Sequence, residues 1–488
     1  MSGWLWRIAF APPLGLAVYA AASHVALLAG WALPVILLPV AFLLGCALAM
    51  CVSPTMPPWT RESDARVWKV VPWLVAVFLL LLVGTVTYGA VATSDREWDG
   101  LVSWGLRAHF LAPPADLSHP FFSDPAVYAH SVAYPLLQPL CLGGCQAVLG
   151  EIPGRLFFPG LFVAFLALVA GVARHRGLPR GKSWVMVLAF GATPMWYSVG
   201  SGAVDSGYAE LLLGYFLAVA AAGLVTRRAV LVATAAFCLP LIKPEGLPYA
   251  LLLGLVTALG SDGRRLHGAA TVGLVLATGL WLPLQARLLG QSSGLMSWAL
   301  PLGIGLGLVG LREVQLRSAL RVRTWLLIGG GVAVVAAVIL VLREDDGSVK
   351  SPLLGEFQSA LVELPGRFAD LPTVLAGYLQ GFLFVRKFGL LFPMLLFLLC
   401  FRRSWTAVAP DRQAAAFFLG GIVLACLAIF LGASTDWDHL FKSRFDRLLL
   451  QWVGVGWLIL GPWLGTLLSL SPRGLPSESI RPPDSSRP

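Results

Sequence analysis

Asparagine is absent from this chain, and charge is scarce: Asp, Glu, Lys and Arg make up only 12% of its 488 residues. The first absence removes every Asn-x-Ser/Thr acceptor, so N-glycosylation is excluded. The second is roughly half the usual share of a soluble domain. With 57% hydrophobic residues and a mean hydropathy of +0.79, it excludes a string of water-soluble domains. Cysteine is sparse as well. The seven cysteines lie mostly inside apolar runs with no CxxC or Cys/His spacing, which rules out a zinc framework and leaves them as small packing residues. Cys141 and Cys145, one helical turn apart, read the same way. A nucleotide-binding loop is also missing. Gly177-Leu-Pro-Arg-Gly-Lys-Ser183 ends like one, but its first glycine stands one residue too close and no buried strand precedes it, so it reads as a basic loop.

What remains is long apolar runs. Windows of about 18–20 apolar residues fall near 8–29, 32–51, 70–92, 156–173, 184–200, 207–225, 229–246, 247–260, 268–286, 295–311, 324–342, 387–401, 413–433 and 446–467. Several are short or broken by Gly and Pro, so the expectation is an all-α polytopic membrane protein with about 12–14 transmembrane helices. The first run is long and a second follows without a small-residue cleavage site, so it stays in the membrane as an anchor.

Charge sets the orientation. With the N-terminus inside, the basic stretches Arg174–Lys182, Arg227-Arg228, Arg264-Arg265, Arg312–Arg323 and Arg402-Arg403 all fall on the inner side, together with the tail after Pro472. The net charge of +10 is then a topological signal rather than a nucleic-acid surface. Counting Tyr134–Leu149 as a span would move Arg174–Lys182 outside. That segment is therefore expected to be an interfacial or re-entrant helix within a long outer loop, 93–155. A second outer loop is expected over 343–386. Residues 1–69 read as an N-terminal helix pair, 70–467 as the main transmembrane domain, and 468–488 as a disordered cytoplasmic tail. Arginine far outnumbers lysine, a bias that fits a GC-rich bacterial genome and an inner (plasma) membrane.

Polar residues collect on the outer side. Directly after the third span comes Ser94-Asp-Arg-Glu-Trp-Asp-Gly-Leu-Val-Ser-Trp104, with Asp95, Glu97 and Asp99 crowded at a membrane exit. A carboxylate near hydrocarbon costs roughly 2.5–3.5 kcal/mol even on insertion scales, so three of them call for a function. Asp205 and Glu210 open a later span, Lys243-Pro-Glu-Gly246 separates another pair, and Ser443-Arg-Phe-Asp-Arg447 leads the last. A base to deprotonate an acceptor and cations to hold an anionic leaving group are what a surface catalytic pocket requires. Simpler readings stand beside this one. Asp205 suits a helix dipole, Lys243 and Glu245 suit a local ion pair, and Arg444 and Arg447 suit snorkelling anchors. His109, His119 and His130 are spaced too irregularly for metal ligands and read as loop-surface residues.

Taken in order, these motifs resemble the GT-C superfamily of integral-membrane glycosyltransferases, in the bacterial branch related to protein O-mannosyltransferases and aminoarabinose transferases. The residues that carry the resemblance are Glu97–Ala108, Tyr134-Pro-Leu-Leu-Gln-Pro139, Arg155, Asp205, Lys243–Gly246 and Ser443–Gln451. The chain departs from the pattern in two places. Its acids read Asp-Arg-Glu-Trp-Asp rather than an adjacent Asp-Glu pair, and Pro244 stands where a polar residue is usual. The resemblance implies a GT-C-like fold with interfacial helices in the long first outer loop. It also implies a polyprenyl-phosphate-linked sugar donor and a catalytic base at Asp99, with Glu97 and Asp95 as alternatives. Tyr134, Arg155, Asp205, Lys243, Glu245, Arg444 and Arg447 are the implied substrate-binding residues. No resident metal is assigned, although a divalent ion is compatible, and the acceptor (lipid, glycan or protein) is left open. An O-antigen polymerase or ligase and a transporter or flippase are the other classes. The first leans on loop Arg and His, and the second on inverted repeats and mid-membrane charge, neither of which dominates here.

Overall fold

The computed structural model describes residues 2–52, 67–92, 99–114, 117–122, 134–197, 204, 206–260, 264–288, 295–317, 368–383, 385–400, 412–430 and 441–467. The expected span near 324–342, most of the second outer loop and the tail 468–488 lie outside these residues.

Among the described residues the chain is all-helical, with no strand. The helices are α1 (Ser2–Ala29), α2 (Leu37–Val52), α3 (Val67–Ala92), α4 (Leu106–Leu111), α5 (Leu137–Leu149), α6 (Phe157–His175), α7 (Arg180–Gly191), α8 (Glu210–Thr226), α9 (Ala229–Ile242), α10 (Gly246–Leu259), α11 (Arg264–Leu288), α12 (Leu295–Arg317), α13 (Leu371–Leu383), α14 (Leu391–Cys400), α15 (Arg412–Phe430) and α16 (Asp446–Leu467). Among the described residues five helical stretches are long and apolar enough to cross a membrane: Trp6–Ala29, Val70–Ala92, Glu151–His175, Arg264–Leu288 and Arg412–Phe430. Shorter apolar helices lie between them. The chain thus has the helices of a multi-pass membrane protein.

The outside of the bundle agrees. Helix α3 presents Trp73, Leu74, Leu80, Leu81 and Tyr88 outward, and α12 presents Leu302 and Leu306, all more than 60% exposed. A soluble protein avoids an apolar patch of that extent, whereas lipid is its natural solvent. Helix α8 is the opposite case. Every residue from Glu210 to Thr226 is buried, so α8 is the central post of the bundle.

Close packing rests on small residues, because lipid-solvated helices gain little from burying apolar area against one another. A Cβ on Gly45 of α2 would lie 2.7 Å from the Ala11 carbonyl oxygen and closer still to the Gly15 backbone of α1. Helix α1 also packs on α6, α9 and α11. Helices α8 and α16 run parallel. Glu210 meets Arg447, Gly214 packs on the Gln451 backbone, and a Cβ on Gly454 would stand 3.1 Å from Ala218 Cβ.

Arginine side chains close two helix ends. Arg287, in the last turn of α11, donates to Leu27 O and Leu28 O at the C-terminal end of α1 (2.9 and 3.1 Å). Arg312 donates to Thr257 O and Ala258 O at the end of α10 (3.1 and 2.8 Å). Cations at helix C-termini satisfy orphan carbonyls and oppose the negative dipole end. Both pairings match a chain whose successive spans alternate in direction.

The Tyr134–Leu149 segment forms α5, whose Leu137–Gly144 half is buried. Tyr19 Oη of α1 donates to Leu140 O at 2.9 Å. The first half of α5 is thus packed inside the bundle, while Val148 and Leu149 at its end are exposed.

Replacing Gly45 by Val is expected to destabilise the folded protein by roughly 1–3 kcal/mol through overpacking of α1 against α2. Gly84→Val on α3, with no atom within 4 Å of its Cβ position, should leave the melting temperature in detergent unchanged.

Candidate functional site

At one end of α8 the chain places its first helical residue, Glu210, wholly inside the protein, with side-chain exposure of 0%. Lys243 Nζ donates to Glu210 Oε1 at 2.8 Å. Arg447 donates to the same oxygen through Nε at 2.8 Å and stands 2.7 Å away through Nη2. Lys243 also lies 3.4 Å from Glu245 Oε1, and Arg447 stacks over the Tyr208 ring at 4.2 Å. Beside this cluster Lys387 pairs with buried Asp446, the first residue of α16. Glu210 and Asp446 both sit where a negative charge meets the positive end of a helix dipole.

Local sequence explains how each cation arrives. Lys243 precedes Pro244, and a residue before proline is driven out of the helical region. It adopts φ −155°, ψ 155°, so α9 ends at Ile242. Gly246 then starts α10, its N–H donating to Lys243 O at 2.9 Å. A Cβ on Gly246 would collide with Leu239 O, so the tight turn that aims Lys243 inward requires glycine there. Arg447 follows a π-helical turn, Phe441–Phe445, and is aimed by the parallel packing of α16 on α8.

The first loop reaches the same place. Its π-helical turn, Asp99–Gly105, packs so that a Cβ on Gly100 would strike Ser206 O. Gln138 Nε2 of α5 donates to Gly207 O at 2.6 Å. Trp104 stacks on Tyr134 (5.6 Å between centroids), and buried Arg107 donates to Tyr134 O at 2.6 Å. The loop after the third span, the segment before α8, the Lys243 turn and the start of α16 therefore meet at one end of the bundle.

The expected residues sort as follows. Lys243, Glu245 and Arg447 converge on or beside Glu210. Tyr134 packs with Trp104 and Arg107 and is not among the side chains bonded to Glu210. Arg155 is half-buried at the head of α6 and Arg444 is exposed; neither is among the side chains bonded to Glu210. Asp95, Glu97 and Asp205 lie outside the described residues. Asp99 is described only as the backbone start of its turn. Of the loop histidines, His109 and His119 are exposed, and His130 lies outside the described residues.

Sequence reasoning underrated Glu210, giving the weight to Asp205 five residues earlier. The available signal was that Glu210 is the first residue of an unbroken apolar run, where an acid is costly. Sequence reasoning assigned no role of their own to Gln138, Asp446 and Gln451, which lie inside the quoted motifs, and none to Lys387. Gln451, one turn below Arg447, is fully buried, and neither end of its amide has a partner among the described residues. Glu210 Oε2 is likewise buried and without a partner among the described residues. Buried polar atoms in that condition are where enclosed water or a ligand hydroxyl is held.

Comparison of the chain with protein-family models, with curated proteins and with solved structures finds no match. The site is therefore read from its own chemistry. Among the described residues no group of three His, Cys, Asp or Glu is placed to hold a metal ion. What the cluster offers is fixed cationic N–H donors and one buried carboxylate that immobilises them.

Removing one partner of a buried ion pair strands the other. Glu210→Ala is expected to cost roughly 3–5 kcal/mol, and a Glu210/Arg447 double-mutant cycle should return a coupling energy of about 0.5–3 kcal/mol. Arg444→Ala, at an exposed position, should stay within about 0.5 kcal/mol. Thermal unfolding of the purified variants measures all three.

Proposed function

We propose that the chain is a GT-C-like membrane glycosyltransferase that moves a sugar from a polyprenyl-phosphate donor to an acceptor at the outer face of a bacterial inner membrane. The single observation that carries this reading is the packing of the first-loop turn Asp99–Gly105 on Ser206, two residues before Tyr208, the ring over which Arg447 stacks beside Glu210. An acceptor activator and cations for a departing phosphate have to share one pocket.

In this mechanism Asp99, with Glu97 and Asp95 as alternatives, takes the proton of an acceptor hydroxyl as its oxygen attacks the anomeric carbon. A new glycosidic C–O bond forms on one face of the sugar while the bond to the phosphate oxygen breaks on the other, so the configuration inverts. The polyprenyl phosphate departs as an anion. Lys243 and Arg447 stabilise the charge developing on that oxygen, because donors already fixed in position cost no reorganisation at the moment of reaction. Glu210 is the residue that fixes them. Tyr134, Asp205 and Glu245 shape the sugar side of the pocket, and Arg155 and Arg444 serve the approach of the anionic donor. Since the donor reaches the site through the membrane with its nucleotide already lost, no phosphate-binding loop is needed.

Asp99→Asn is expected to lower transfer in a reconstituted assay by roughly 10²–10⁴-fold, with expression and melting temperature intact. Unchanged turnover in Asp99→Asn, Glu97→Gln and Asp95→Asn alike would remove the proposed base.

A further inference from the structure

A second feature lies along the other side of α16. Helices α7, α14 and α16 enclose a groove of about 320 Å³, lined by Val185, Met186 and Ala189 of α7, by Phe388 and Met394, and by Trp457 among others. Trp457 Nε1 donates to Thr193 Oγ1 at 3.3 Å and so joins two walls. Among the described residues its lining is apolar apart from that threonine and one cation, Lys182, near the start of α7. Lys182 belongs to the end of the bundle away from Glu210, because α7 runs from Arg180 toward the Pro194–Tyr197 turn that precedes α8. From Lys182 to Ala192 the helical rise gives a groove about 15 Å long. That is half of a hydrocarbon core about 30 Å thick, the depth one leaflet's chain occupies.

We propose that this groove is a binding site for a single anionic phospholipid of the leaflet at the Lys182 end. One acyl chain lies along α7 and α16, and the headgroup phosphate rests against Lys182. Three observations carry the assignment: a cavity at the edge of an intramembrane bundle, a length matching one leaflet rather than a longer isoprenoid chain, and one positive charge at the mouth. Apolar walls hold a chain of any lipid, and the lysine selects a negative head. The site is separate from the Glu210 cluster and does not depend on the reaction assigned there.

The test uses the full-length protein in nanodiscs containing phosphatidylglycerol or phosphatidylcholine with a photoactivatable diazirine in the acyl chain, followed by peptide mapping. The expected result is labelling of peptides containing Val185–Met186 and Trp457–Gly461, several-fold stronger with phosphatidylglycerol. Lys182→Ala should reduce phosphatidylglycerol labelling to the phosphatidylcholine level, Lys182→Arg should restore it, and Ala189→Trp should abolish labelling by both while the melting temperature is retained. Equal labelling by the two lipids in the unmodified protein would overturn the proposal. So would labelling that survives Ala189→Trp, or displacement of phosphatidylglycerol by equimolar polyprenyl phosphate.

Discussion

One carboxylate oxygen organises this end of the protein. Glu210 Oε1 receives both Lys243 and Arg447, residues 33 and 237 positions away in sequence. Each charge is expensive to bury alone, so the three are stable there only together. Helix α8, the turn between α9 and α10, and the start of α16 are consequently held in one arrangement. The neighbouring Asp446–Lys387 pair extends that arrangement to the segment before α14. Rigidity of this kind is a precondition for stabilising charge that appears only during a reaction.

The ion cluster could not assemble without small residues. Gly214 lets the α16 backbone approach α8 one turn below the charges, Gly246 lets α10 begin immediately after Lys243, and Gly100 lets the first loop sit against Ser206. At Gly246 and Gly100 a side chain would occupy space now filled by backbone, and at Gly214 it would crowd the Gln451 backbone. The apolar groove beyond α16 shows the converse. Where Met186, Trp457 and Met394 stand apart, the bundle leaves a gap of about 320 Å³.

Much of the fold was legible from residue pattern because burial in lipid imposes a simple rule on composition. The run that became α16 was expected at 446–467 and is observed over Asp446–Leu467, and α15 agrees to within three residues at each end. The basic loop Arg174–Lys182 sufficed to keep Tyr134–Leu149 from being counted as a span, and α5 is a short helix buried along half its length. The site was legible only in part. Lys243, Glu245 and Arg447 were singled out because charge stands out against an apolar background. The common partner of Lys243 and Arg447 was harder to see, since Glu210 and Asp205 are nearly equivalent until the helix start is known. Contacts such as Gln138 with Gly207 and Lys387 with Asp446 join residues 69 and 59 positions apart, and no local pattern encodes such pairs.

The central claim is that the first-loop turn and the Glu210-anchored cations enclose one pocket for a lipid-linked phosphate. A cryo-EM map of the protein in nanodiscs saturated with polyprenyl phosphate tests it most directly. Headgroup density is expected between the Asp99–Gly105 turn and the Lys243 and Arg447 side chains. Density for the phosphate elsewhere, or an Asp99 carboxylate directed into bulk solvent with no cavity shared with Glu210, would contradict it.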